Sequence, residues 1–444
     1  MWADGASGPV AAGLPARPSH VREWIDRRWK CRGVRRDENR LDCRLYRRSN
    51  MKWASAGSDE ARLDQAIARA ASIVRAELGG CQPDLVVAFV SPHHAAEFDR
   101  VPARIAEHLP GALLLGCSGG GVIGGGREIE QRPGVSLTAA YLPGVTITPL
   151  YLANDRLPAP DADPSTWSSR LAVDPAGAPQ FVLLSDPFTF DAESLIRGLD
   201  RAYPDTTTVG GIASGGREAG SNALFLGERV HRGGMVGLAL GGNVQVDTIV
   251  AQGCRPIGEP MFVTACERNV IRALDGRPPL AVLQELHDKL QPRDRQLARH
   301  SLFLGIVMKE DRQQYGQGDF LIRNLIGIDQ SSGALAIGAL IDANAIVQFH
   351  LRDADTSAQD LEALLKRHRA ADAAPPAGSL LFSCLGRGQF LYGRVDHDTD
   401  LFRRYLGDVP LGGFFCNGEI GPVHGATFLH GYTSAFALFR GRDS

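Results

Sequence analysis

The chain has 444 residues, 44% of them hydrophobic and 22% charged, with a formal net charge of −2. This is the make-up of a folded protein of two to three domains, and so balanced a charge excludes a general nucleic-acid binder, which needs a basic face to neutralise phosphates. No apolar run reaches membrane-spanning length, no signal-peptide pattern is present, and the eight cysteines show no Cys-x-x-Cys spacing, so the sequence predicts a cytoplasmic protein with reduced thiols and no membrane partner.

Residues 1–50 differ from the rest. They are rich in arginine, including Arg27, Arg28, Arg35, Arg36, Arg47 and Arg48, and carry no sustained apolar period. They are expected to be a disordered leader or a mis-assigned start ahead of Met51, with a basic arm for an acidic partner as the alternative. Residues 59–78 then read as a helix, with Leu63, Ile67, Ala70, Ala71 and Val74 on one face and Gly79-Gly80 as its stop. A second helix is expected near 95–109. The stretch 158–179, rich in Pro, Ala and Asp, reads as a surface connection. A helix capped by Asp191 follows. The texture changes at 254–260, which sets a boundary between segments 51–253 and 254–444. Beyond it come a helix at 280–290, a buried strand at 302–308, a loop at 309–318, and strands at 320–329, 335–340 and 346–351. Gly333 and Asn344 lie in the turns between these strands, as hairpins require. A helix at 357–369 precedes the last segment.

One pattern is written three times. Leu115-Gly116-Cys117-Ser118-Gly119-Gly120, Val209-Gly210-Gly211-Ile212-Ala213-Ser214-Gly215-Gly216 and Leu411-Gly412-Gly413-Phe414-Phe415-Cys416-Asn417-Gly418 are apolar runs closed by small residues, aligned by pairing Ser118, Ser214 and Cys416. Each has an apolar run and an amphipathic stretch before it and another apolar run after it. The unit reads strand, helix, strand, glycine turn, strand. The second and third copies stand about twice as far apart as the first and second, which leaves space for a fourth, degenerate unit. The predicted fold is α+β: two related β-rich domains with mixed or antiparallel sheets flanked by helices. Bare glycine turns that converge would leave room for a ligand, with Cys117, Ser118, Gly119, Ser214 and Gly215 in its wall. The glycine-dense run 119–126 lacks a following Gly-Lys-Ser/Thr and reads as a flexible turn over that cavity.

The chemistry concentrates near the C-terminus. Cys384-Leu385-Gly386-Arg387-Gly388 puts a thiol, two glycines and an arginine at a strand end. Arg387 is suited to a two-pronged hold on a carboxylate, or to pairing with a structural acid. Asn417-Gly418-Glu419 adds an amide and a carboxylate, and Glu419 is expected to bind a ligand amine or to pair with Arg387. Arg323 lies on a central strand. Cys384 or Cys416 could act as a nucleophile only with a nearby base, for which His424 and His430 are the candidates in sequence. Scattered histidines such as His93-His94 lack metal spacing, so neither metal nor cofactor is expected.

With these motifs in view, the sequence resembles the FIST family. The residues that carry the likeness are Leu114-Leu115-Gly116-Cys117-Ser118-Gly119-Gly120 and Val209-Gly210-Gly211 in the first half. In the second half they are Phe320-Leu321-Ile322-Arg323-Asn324-Leu325-Ile326-Gly327-Ile328-Asp329, Leu381-Phe382-Ser383-Cys384-Leu385-Gly386-Arg387-Gly388 and Gly413-Phe414-Phe415-Cys416-Asn417-Gly418-Glu419-Ile420-Gly421-Pro422. The likeness runs from about 59 to 440. It implies paired FIST-N and FIST-C domains and a sensory role in signal transduction with a small ligand, amino acids or their derivatives being the implied class. No kinase, cyclase, chemoreceptor or F-box segment is visible, so the signal is expected to pass through a separate protein partner. The site expected from the residues themselves is Arg387 and Glu419 gripping a zwitterion beside Asn417, Cys384, Gly386, Gly388 and Arg323. The alternatives are a thiol-dependent enzyme using Cys384 or Cys416, and a protein-interaction adaptor without a ligand.

Overall fold

The computed structural model describes residues 51–310, 314–371 and 374–442. The expectations for residues 1–50 lie outside them. The chain begins with strand β1 (Lys52–Ser58) and helix α1 (Leu63–Leu78), then β2 (Leu85–Val90), α2 (Val101–His108) and β3 (Leu113–Ser118). A hairpin of β4 (Gly121–Gly124) and β5 (Arg127–Glu130) precedes β6 (Val135–Tyr141). The order then recurs: β7 (Val145–Leu152), α3 (Pro164–Leu171), β8 (Gln180–Ser185), α4 (Ala192–Ala202), β9 (Thr208–Ile212), the hairpin β10 (Leu224–Leu226) and β11 (Arg229–His231), and β12 (Met235–Gly242).

A third round opens with β13 (Gln245–Ala251) and is interrupted by β14 (Cys254–Glu267), β15 (Val270–Leu274), α5 (Pro279–Lys289), α6 (Pro292–Ser301), β16 (Leu302–Val307), β17 (Phe320–Ile328), β18 (Leu335–Ile337) and β19 (Ile346–Arg352). It resumes with α7 (Ala354–Ala370), β20 (Gly378–Cys384), α8 (Gly388–Tyr392), α9 (His397–Leu406), β21 (Leu411–Cys416), the hairpin β22 (Glu419–Val423) and β23 (Ala426–His430), and β24 (Ser434–Arg440).

The result is α+β, rich in strands, with mixed and antiparallel sheets. Three six-stranded sheets share one plan, in the orders β1-β6-β2-β3-β10-β11, β7-β12-β8-β9-β22-β23 and β13-β24-β20-β21-β4-β5. Each has one parallel pair, β2–β3, β8–β9 or β20–β21, joined through helices as a parallel crossover requires. Each hairpin leaves its own round and pairs elsewhere: β4 with β21, β10 with β3, β22 with β9.

The glycine-rich stretch 119–126 is therefore a crossing strand, not a flexible turn. Gly124 is glycine because a Cβ there would stand 2.7 Å from the Ala56 carbonyl oxygen, and Gly125 and Gly126, at φ of 60° and 72°, make the turn. The gap between the second and third copies holds no fourth unit. It holds a closed barrel, β14-β15-β18-β17-β16-β19, whose pairings are all antiparallel. The stretch 158–179 was expected to be a plain connection, yet it contains α3. Asp163 caps this helix by accepting from the Ser165 N–H, and Pro164 sits in its first turn. Its Trp167 is fully buried against Gly198, where any Cβ would meet the indole at 1.9 Å.

Helices cover one face of each sheet. α1 and α2 bury Leu63, Ile67, Val74 and Ile105 against the first, α3 and α4 bury Trp167, Leu195 and Leu199 against the second, and α7 and α9 bury Leu361, Leu365 and Phe402 against the third. Where the sheets meet, Phe89 stacks on Phe414 at 4.5 Å between ring centroids, and Phe382 meets Phe414 edge-on at 6.0 Å. No described helix is long and apolar enough to cross a membrane.

The parallel pairs run so close that one strand must carry glycine. A Cβ on Gly116 would lie 2.0 Å from the Ala88 carbonyl oxygen across the β2–β3 ladder. Gly116→Ala should therefore cost about 3 kcal/mol or more in urea unfolding, because backbone on both strands would have to move. Gly241→Ala, where nothing lies within 4 Å, should stay within about 0.5 kcal/mol of the parent. Equal effects of the two would show that close approach does not decide the glycine.

Candidate functional site

β20 and β21 end side by side, with Cys384 opposite Cys416. Leu385 N–H donates to the Cys416 carbonyl at 3.0 Å, which ties the two ends together. The chain leaving β21 docks on the end of β9: Asn417 N–H donates to Ile212 O at 3.0 Å, and the Asn417 side-chain amide donates to Ala213 O at 3.2 Å. From the barrel, β17 brings Arg323. Its guanidinium donates to Leu429 O at 3.1 Å and to the Glu193 carboxylate, in the first turn of α4, at 3.0 Å. The next residue, Asn324, accepts a hydrogen bond from the Tyr432 hydroxyl.

These parts enclose an open cleft of about 370 Å³ between the barrel and the sheet ends. Glu193, Arg323, Asn324, Cys384, Asn417 and Tyr432 are among its lining residues, with backbone at Gly386, Gly418 and Gly431. Tyr432 holds φ at 66°, a strained value for a bulky residue, and the Arg352 guanidinium lies 4.7 Å over its ring. Arg352 also donates to Gly386 O at 3.3 Å, while its buried Nε has no partner among the described residues.

Of the residues singled out from sequence, Arg323, Cys384, Gly386 and Asn417 line this cleft together, as does Cys416. Arg387 and Glu419 do not. Arg387 is 0% exposed and donates from Nε to Asp398 at 2.9 Å and from Nη2 to the Tyr392 hydroxyl at 2.6 Å, so it is a brace beneath the site. Burial opposes ionisation of Asp398, yet Arg387 outweighs it and holds the carboxyl well below the usual carboxylate range. Glu419 is equally buried and accepts from the Thr433 N–H at 3.0 Å. No ion pair joins Arg387 to Glu419 among the described residues. Gly388 faces the Glu130 carboxylate instead of the cleft.

Cys117, Ser118, Gly119, Ser214 and Gly215 also stand apart from the cleft. The bends do converge: Ser214 Oγ accepts from Gly120 N–H at 2.8 Å and donates to Phe415 O, and Ser118 Oγ hydrogen-bonds with Asn222 at 3.2 Å. Where they converge, their bare backbone admits protein side chains. A Cβ at Gly119 would meet Phe414 at 2.9 Å, one at Gly120 would meet Leu385 at 2.4 Å, and one at Gly215 would meet Pro92 at 3.1 Å. Cys117 is fully buried beside Gly116. Sequence reading missed Glu193, Asn324 and Tyr432. A hydroxyl-bearing aromatic two residues before a β-strand was a weak signal for Tyr432; Glu193 gave none, because its partner lies 130 residues away.

Burial weighs against the thiol reading. Burial, aided by the Glu419 carboxyl, pushes the Cys384 thiol up to about 12 and Cys416 well above its usual value, so both stay protonated near neutrality. His430 donates no help, being turned to Gly421 O at 3.0 Å. No group of three or more His, Cys, Asp or Glu among the described residues could hold a metal ion.

A model of the FIST N domain matches residues 84–277 and one of the FIST C domain matches residues 279–422. The chain belongs to the FIST family. FIST domains are generally small-ligand-binding sensory domains in signal transduction. A Mycobacterium tuberculosis protein described as uncharacterized is 39% identical over 379 residues, covering 84% of this chain and 96% of that one. An F-box/LRR-repeat protein of Arabidopsis thaliana is 24% identical over 362 residues, 68% of this chain and 67% of its own length. Human F-box only protein 22 is 41% identical over 95 residues, 17% of this chain and 23% of its own length. This FIST protein builds its cleft across the two matched segments, since Glu193 comes from the first and Arg323, Cys384 and Asn417 from the second.

Burial raises the Glu419 carboxyl from the usual 4.5 to about 8, partly offset by the Thr433 N–H. The unfolded chain releases that proton near 4.5 while the folded protein keeps it, so this group's contribution is intact in acid and is lost as pH rises through about 8. Glu419→Gln keeps the shape and removes the proton. Its stability relative to the parent should rise between pH 5 and pH 8 in parallel urea titrations; parallel curves would show that Glu419 ionises normally.

Proposed function

We propose that this FIST protein is a cytoplasmic small-ligand sensor whose ligand occupies the cleft between β17 and the ends of β20 and β21, and that the ligand is an amino acid or related zwitterion. The observation that carries this reading is the Arg323–Glu193 pair. The Arg323 side chain is 10% exposed and Glu193 50% exposed, so a fixed cation in the wall is balanced by a carboxylate free to swing. A ligand carboxylate can take the place of Glu193 on the guanidinium, and Glu193 can then meet the ligand ammonium. The Asn324 and Asn417 amides and the open backbone around Gly386, Gly418 and Gly431 add neutral donors and acceptors suited to a small polar solute. The buried Arg387–Asp398 pair holds the strand ends beneath.

The output passes to a separate signalling protein. Ligand contacts that span both matched segments supply a means, because occupancy changes how β17 sits against α4.

Isothermal titration against a panel of amino acids and their derivatives tests the proposal. At least one should bind saturably. Arg323→Ala should weaken it about tenfold or more, as loss of a charge-assisted contact does, and Asn417→Ala severalfold. A panel in which nothing binds, or binding untouched by either folded variant, would remove the cleft from consideration.

A further inference from the structure

A second guanidinium lies behind the wall of the cleft. Arg352 ends β19 and is 8% exposed. It stands against two residues that line the cleft: a Cβ on Gly386 would meet its Nη1 at 2.5 Å, and its guanidinium lies over the Tyr432 ring. A buried cation is costly unless a carboxylate meets it, and the neighbouring arginines each have one. Arg387 has Asp398, Arg323 has Glu193, and Arg255 has both Asp294 and Asp353. Arg352 has no carboxylate partner among the described residues. Its Nη1 donates to the Gly386 carbonyl at a long 3.3 Å, and the rings of Tyr432 and Phe303 lie 4.7 and 5.8 Å from the guanidinium carbon. Nε has no partner, and Nη2 makes no hydrogen bond among the described residues. The Nε–Nη2 edge, which can grip a carboxylate with two parallel bonds, is therefore unused.

The titratable groups around it leave that charge standing. Glu193 is the acid among the lining residues, and Arg323 holds it at 3.0 Å. The buried Glu419 carboxyl, 3.4 Å from the Cys416 thiol, is raised to about 8 by burial and is neutral near pH 7. Asp353, next to Arg352 in the chain, accepts from Arg255 at 3.1 Å and from the Thr356 N–H at 2.8 Å. Burial pushes the Cys384 thiol and the Tyr432 hydroxyl up to about 12 and lowers His430 to about 4, so all three are uncharged. Arg323 and Arg352 against Glu193 leave one positive charge in excess.

We propose that Arg352 is a second anion subsite of this cleft, and that the ligand is an acidic amino acid. The inference rests on the zwitterion reading of the cleft and narrows it. The α-carboxylate takes Arg323, the ammonium meets Glu193, and the side-chain carboxylate lies on the Nε–Nη2 edge of Arg352. Two cations and one carboxylate of the protein then face two carboxylates and one ammonium of the ligand, so the charges cancel. Tyr432 is the gate to this subsite. Its ring covers the guanidinium, and its hydroxyl is held by Asn324, itself a lining residue. A ligand that bonds to Asn324 releases that hydroxyl and lets the ring turn aside.

The test is calorimetric titration of the whole protein at pH 7 with L-glutamate, L-aspartate and their amides, L-glutamine and L-asparagine. One of the acids should bind about tenfold or more tightly than its own amide, as a charge-assisted contact allows. Arg352→Met keeps the bulk and removes the charge, so it should bring that acid down to the affinity of the amide and leave the amide unchanged. Arg352→Lys, the milder change, keeps the charge without the two-pronged edge and should cut the preference severalfold. Arg323→Ala should weaken acid and amide alike. Equal binding of acid and amide by the parent, or a preference that survives both Arg352 variants, would overturn the second subsite while leaving the zwitterion reading in place. Failure of all four to bind would overturn the acidic ligand, and failure of every amino acid would overturn the cleft with it.

Discussion

The exchange of hairpins is the constraint on which the rest of this molecule depends. Each of the three sheets ends on a hairpin contributed by another round of the chain, so none can be completed from its own sequence alone. β22 closes the second sheet through Glu419 opposite Gly211 and Ile420 opposite Gly210, and in doing so it carries Asn417 and Gly418 to the mouth of the cleft. The other two exchanges are made by β10 with β3 and by β4 with β21. A site built at such a junction is positioned by the whole fold, because moving one sheet moves the backbone that lines it.

Beneath the cleft the protein keeps its most costly groups. Arg387 and Asp398 are both buried, and the pair is joined by Tyr392, by His397 at 3.0 Å and by Ser434 at 2.6 Å. Removing one partner from such a pair typically costs roughly 3–5 kcal/mol, whereas an exposed pair is worth little. That contrast separates the two arginines near the site. Arg387 is locked and fixes the end of β20. Arg323 has a carboxylate partner that is half exposed, so its bond can be traded for a ligand's.

Much of this was legible in sequence where the information is local. The helical stripe from Leu63 to Val74, the cap at Asp191, the paired apolar runs around Gly116 and Gly412, and the hairpin strands of the barrel all follow from short-range pattern. Partners distant in sequence were not legible. Gly121 to Gly124 reads as a loop because nothing local says that Phe414 and Phe415 will pair with it. The glycine bends were expected to frame a hole, but the space above Gly119 and Gly120 is taken by Phe414 and Leu385, residues some hundreds of positions away. Arg387 stood out because its motif is conspicuous. Its acid partner is only eleven residues on, yet inside a polar helix where many acids compete for notice. Arg323 was named as one residue among several, and only the fold shows that it reaches Glu193.

The interlocked sheets should open together, and the cleft inherits its shape from that interlock. Native-state hydrogen exchange under rising denaturant measures this directly. The amides of β3, β9 and β21 should exchange through one common opening with the free energy of global unfolding. If β9 with β22, or β21 with β4, opened at clearly lower free energy while β3 stayed protected, the sheets would be independent units and the account would fail.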